Sequence, residues 1–89
     1  MSLERALTIV NPLGLHARPA AQFVRVASGF PCDIEVSKDG MVVNGKSIMG
    51  VMMLAAECGS EIILRVDGDD AEAALEALAQ LVADGFGER

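Results

Sequence analysis

Three runs of alternating aliphatic residues constrain the fold more than any other feature. Leu3, Leu7 and Ile9 share one parity with Arg5, opposite Glu4, Ala6 and Thr8. Cys32, Ile34 and Val36 alternate with Asp33, Glu35 and Ser37. Ile62, Leu64 and Val66 alternate with Glu61, Ile63, Arg65 and Asp67. Side chains along a strand point to alternate faces, so each run predicts a strand with one apolar face. "KDG" at residues 38–40 is a turn signal, and residues 41–43 continue as the second arm of a hairpin. Between these runs the period lengthens. Ala20, Phe23, Val24 and Ala27 follow helical spacing as far as Gly29. Ala71, Ala74, Leu75, Leu78, Leu81 and Val82 line one face of a last helix that ends at Gly85. Asp69, with Glu72 three residues on, predicts a capping box. Ser47, ahead of an apolar run, predicts the N-cap of a short helix. The order is therefore βαββαβα. It predicts an α+β fold: a four-stranded antiparallel sheet with helices on one face and a polar, solvated opposite face.

With 89 residues, the chain forms one domain, 1–89, with a modest core. All three aromatic residues are Phe, so that core is mainly aliphatic. The formal charge of −6 and the scattered cations argue against nucleic acid or an anionic membrane as partner. The first residues, with Glu4 and Arg5, do not read as a signal peptide, and the apolar stretch at 48–56 is too short to span a bilayer. Cys32 and Cys58 fit no zinc or redox spacing and read as free thiols of a cytoplasmic protein. With one histidine and two distant cysteines, no metal site is expected. No glycine-rich nucleotide loop is present, and no cofactor is implied.

The chemistry concentrates in "NPLGLHARPAAQF", residues 11–23, which holds the only histidine, His16. Asn11, Pro12 and Gly14 mark a turn, and the helical pattern follows it directly. The start of a helix carries unsatisfied N–H groups and a partial positive charge, which suit a phosphate. Arg18 adds a guanidinium fork matched to phosphoryl oxygens. Both features disfavour an imidazolium, and a neutral ring keeps a lone pair that can act as nucleophile. Pro19 suits the first helical turn, where a missing N–H costs nothing. These residues can receive a phosphoryl group, but nothing in the sequence binds ATP or releases phosphate. A carrier fits better than an enzyme.

Ser47 is a helix cap and also a position that tolerates a phosphate, hence a candidate regulatory site. After it, Ile48, Met49, Val51, Met52, Met53 and Leu54 exceed what one face of a short helix buries. Those left exposed would form a flexible docking patch.

"GLHARPAAQFV" and "GKSIMGVMML" closely resemble the HPr family of histidine-containing phosphocarriers of the bacterial phosphotransferase system. The resemblance runs over residues 7–87. It implies an open-faced β-sandwich and a monomer in the cytoplasm. It also implies that His16 takes a phosphoryl group from Enzyme I, charged by phosphoenolpyruvate, and passes it to an EIIA protein. Ala17 and Arg18 would bind the phosphoryl group. Ile48, Met49, Met52 and Ala21 would meet the partner. Ser47 would be the target of HPr kinase/phosphorylase. "LVADGFGER" is similar to the nitrogen-branch relative NPr, whereas "KSIMGVM" points to the sugar branch, so both branches stay open. His16 separates the chain from the Crh paralogue, which lacks the active histidine. A non-carrier regulator acting through the patch, and a small phosphatase using His16 and Arg18, are the readings from other classes.

Overall fold

The computed structural model describes residues 1–88. Four strands, β1 (Ser2–Thr8), β2 (Asp33–Lys38), β3 (Met41–Asn44) and β4 (Glu61–Asp67), form one sheet in the order β1-β4-β2-β3. Every neighbouring pair is antiparallel. Three helices, α1 (Ala17–Ser28), α2 (Ile48–Met53) and α3 (Ala71–Ala83), complete the βαββαβα order expected from the sequence. A 3-10 turn, Gly85–Gly87, follows α3.

The strand parities set the layers. In β4, Ile62, Leu64 and Val66 are fully buried while Glu61, Arg65 and Asp67 are exposed. Register carries the same parity across the sheet, pairing Leu64 with Arg5 of β1 and Val36 of β2. The polar face carries a row of Glu4, Arg65, Glu35 and Asn44. The hairpin turn needs left-handed backbone at both central residues, and Asp39 (φ +52°) and Gly40 (φ +88°) supply it. This is why "KDG" reads as a turn.

The helices cover the apolar face. Phe23 of α1 and Leu78 of α3 are fully buried with Ile9, Val36 and Leu64. Burial of one such side chain stabilises by about 1.5–3 kcal/mol. α3 packs on β1 and β4, and α1 packs on both α2 and α3. Ser47 is the N-cap of α2, its Oγ accepting from Gly50 N–H at 3.1 Å.

One expectation needs correction at α3. The capping residue is Asp70, not Asp69, and it makes no side-chain cap bond. The expected box is therefore out of register by one residue: a turn closed by Ala71 N–H donating to Gly68 O at 3.3 Å precedes the helix, and Asp70 stands at its start. At the other end α3 stops at Ala83 with Asp84 as its cap, so the helix ends just before Gly85 as expected. The Gly85 backbone (φ +63°) starts the 3-10 turn that buries Phe86. Cys32 is a buried free thiol and Cys58 an exposed one. Among the described residues no helix is long and apolar enough to cross a membrane, and no three His, Cys, Asp or Glu side chains cluster to hold a metal.

Candidate functional site

The loop before α1 is held against the segment after α2. Leu15 N–H donates to Ala56 O at 2.9 Å. Gly14 has φ +68°, and a Cβ there would lie 2.3 Å from Ala56 O, so only glycine fits. This clamp leaves His16 as the N-cap of α1, with extended backbone (φ −76°, ψ −172°) and its carbonyl accepting from Ala20 N–H at 3.0 Å. The His16 side chain makes no cap hydrogen bond. Pro19 has no N–H, so the N–H groups of Ala17 and Arg18 are the ones left open at this end, without a protein acceptor among the described residues. Arg18 is exposed beside them. With Pro12, Leu13, Phe86, Gly87 and Glu88 it lines a shallow recess of about 370 Å³.

The three sequence-derived site residues His16, Ala17 and Arg18 thus come together at one helix terminus. A residue that the sequence did not suggest joins them. Glu88 places its two carboxylate oxygens 3.2 and 3.1 Å from His16 Nε2. Its Oε1 also accepts from Asn11 Nδ2 at 3.1 Å. Asn11 is fully buried, and the same Nδ2 donates to Gly14 O at 2.7 Å. Both amide protons are therefore used. Turning the amide over would set its oxygen against a carbonyl and a carboxylate, so the orientation is fixed by its neighbours. Asn11 Oδ1 is left buried without a partner among the described residues, a cost of roughly 1–3 kcal/mol that the two donated bonds offset.

Partial burial pushes the Glu88 carboxyl towards neutrality. Hydrogen bonds from His16 and Asn11, with the charges of His16 and Arg18, outweigh that push and hold it below its ordinary range. Glu88 is thus an ionised acceptor. The ring nitrogen facing it, Nε2, must carry a proton, and in the neutral ring Nδ1 then keeps the lone pair. The sequence placed only positive features around His16; the structure adds this carboxylate.

The second region is α2. Val51 and Leu54 are buried, whereas Ile48, Met49, Met52 and Met53 are 44%, 75%, 41% and 64% exposed. Ala21, on α1, is half-buried. Since α1 packs on α2, the exposed methionines and the His16 end of α1 belong to one pair of packed helices. Leu13, 75% exposed in the loop before His16, adds an apolar side chain that the sequence did not single out.

A family model described as the PTS HPr component phosphorylation site matches residues 3–84. The phosphocarrier protein HPr of Cupriavidus necator is 49% identical over 86 residues, covering 97% of each chain. The phosphocarrier protein HPr of Treponema pallidum is 48% identical over 84 residues, 94% of this chain and 96% of the relative. Among solved structures, HPr-C-His from Thermoanaerobacter tengcongensis matches with a TM-score of 0.94 and 48% identity over 98% of each chain. The Bacillus subtilis catabolite repression protein Crh, a swapped dimer, matches with a TM-score of 0.76 and 49% identity over 83% of this chain and 85% of that one.

Proposed function

The chain belongs to the HPr family of phosphotransferase-system phosphocarriers, and from that premise we propose that His16 Nδ1 is the atom that carries the phosphoryl group. The observation that carries this reading is the convergence at one helix end. His16 offers a lone pair, the Ala17 and Arg18 N–H groups are open, and Arg18 lines the adjoining recess with its side chain exposed. In the transfer, the Nδ1 lone pair attacks phosphorus. The bond from phosphorus to the donor atom breaks, and its electron pair stays with the donor. The open N–H groups and Arg18 receive the phosphoryl oxygens. The reverse step hands the group on. The chain is a carrier, and catalysis belongs to its partners.

Those partners are enzymes of the phosphotransferase system. We take the donor to be Enzyme I and the acceptor an EIIA protein, both docking on Ile48, Met49, Met52 and Ala21. Exposed methionines adapt to more than one partner surface. Ser47 serves as the regulatory site, read by an HPr kinase/phosphorylase. The free thiols suit the cytoplasm, where this exchange would run.

The test is incubation with Enzyme I and labelled phosphoenolpyruvate. The wild-type protein should gain one acid-labile phosphate, and His16→Ala should gain none while keeping its fold. Acid-labile label on the alanine variant would remove His16 from the role. Running the assay with sugar-branch and nitrogen-branch Enzyme I shows which branch the chain serves. Steady release of inorganic phosphate by the chain alone would favour a phosphatase instead.

A further inference from the structure

The contact between His16 and Glu88 spans 72 residues of chain, and carrying a phosphoryl group does not by itself require it. Three features hold the carboxylate in place. Phe86, buried at the turn after α3, anchors the segment. Asn11 Nδ2 donates to Glu88 Oε1, and through its other proton to Gly14 O in the loop that sets His16. Both carboxylate oxygens then face Nε2. The amide of Asn11 therefore fixes the acid and the loop together from a fully buried position.

We infer that Asn11 and Glu88 form a positioning pair for phosphoryl transfer: Asn11 holds the Glu88 carboxylate, and the carboxylate fixes the tautomer of His16 and balances the charge that the ring gains. The inference rests on His16 being the acceptor. A neutral ring that forms an N–P bond through Nδ1 becomes positively charged. Its proton stays on Nε2 throughout, donated to Glu88, so no proton is exchanged in the step. The donor keeps the electron pair of the broken bond. Glu88 lies on the Nε2 side of the ring, away from the bond that forms, and so does not compete with the phosphoryl oxygens for the helix N–H groups. A carboxylate behind a reacting histidine acts in the same way in hydrolytic triads, where it orients the ring and stabilises its cation. Glu88 touches the ring but not the phosphoryl group, and Asn11 touches neither phosphorus nor His16.

Two substitutions test the pair. Glu88→Gln removes the charge at nearly constant shape, and its amide can present either a donor or an acceptor to Nε2. Asn11→Ser keeps a small polar group but cannot reach both Gly14 and Glu88. Nitrogen-15 spectra of the ring, recorded with the ring neutral and no partner present, should show the Nε2–H tautomer dominant in the wild type and a mixture in both variants. Phosphorylation by Enzyme I should slow about tenfold in Glu88→Gln, the lower end of what losing a histidine's orienting partner costs. Asn11→Ser should change both readouts in the same direction. A wild-type ring in the Nδ1–H form overturns the inference. So does a Glu88→Gln protein with the wild-type rate, whatever its tautomer. Failure of the wild-type protein to take label on His16 overturns the acceptor reading instead, and the ring spectrum, which needs no donor, tells the two failures apart.

Discussion

Arg18 and Glu88 bring opposite charges to the same histidine, and each implies a measurable consequence. Arg18 is exposed and lines the recess beside the open helix end. Arg18→Ala should therefore slow phosphoryl transfer while leaving Enzyme I binding nearly unchanged. Lys should restore only part of the rate, because a point charge replaces a bidentate fork. A wild-type transfer rate in the alanine variant would contradict this role. The Glu88 carboxyl is depressed below its ordinary value of 4.5 by the bonds and charges that outweigh its burial. A depressed acid contributes stability that is complete above its unfolded value and is lost as pH falls through its folded one. The tail contact should thus survive down to pH 4.5 and fail only below it. The carboxyl carbon-13 shift of Glu88 reports this directly, and a midpoint at or above 4.5 would contradict the balance in which the bonds and charges outweigh burial.

Elements differ in how far the sequence discloses them. The "KDG" hairpin and the Ser47 cap are local: each is set by residues within three or four positions, so their patterns could be read directly. The His16 helix start is legible in the turn and Pro19 around it, but the Leu15–Ala56 bond that holds its loop joins distant parts of the chain and has no local signal. The Asn11–Glu88 bond joins residues 77 apart, and no local signal reports it. Two residues before Glu88, Phe86 adopts φ +56°, a conformation that bulky side chains avoid, with its ring buried. The Asp69 box failed because Asp69 and Asp70 are adjacent acids and spacing alone does not say which of them stands at the helix start; the structure puts Asp70 there. Which apolar residues of α2 stay exposed also depended on its packing against α1, although their excess was visible from composition. Phe86→Ala tests the anchor. Truncating a buried Phe costs about 3–5 kcal/mol, less whatever strain the left-handed backbone releases. The variant should melt lower, and the His16 ring should lose its tautomer preference even at temperatures where the rest of the fold is intact. A destabilised protein with an unchanged ring spectrum would show that Glu88 reaches His16 without Phe86.

At the scale of the whole molecule, the proposed transfer site and docking patch lie on the packed pair α1 and α2. Any partner that reaches His16 approaches the end of α1, and the exposed Ile48, Met49 and Met52 on the packed neighbour, with Leu13 in the preceding loop, offer apolar area for it to bury. Ser47 stands at the head of that helix, its Oγ bound to Gly50 N–H. A phosphate on Ser47 adds about −1.5 to −2 charges at pH 7. Towards the fold, that charge sits at a helix start and should be neutral or stabilising by roughly 0.3–1 kcal/mol. Towards a partner the sign reverses. Docking would strip water from a dianion beside Ile48, and any acidic group opposite would be repelled on top of a net charge already at −6. Ser47→Asp should then leave the melting temperature nearly unchanged yet raise the Enzyme I concentration needed to phosphorylate His16. Asp carries one charge and should act more weakly than phosphoserine. The measurement is the rate of His16 phosphorylation against Enzyme I concentration for the unmodified protein, Ser47→Asp, and protein phosphorylated at Ser47. Three superimposable curves would reduce Ser47 to a helix cap. A graded rightward shift, with no loss of thermal stability, would place its effect on the docking face and not on the fold.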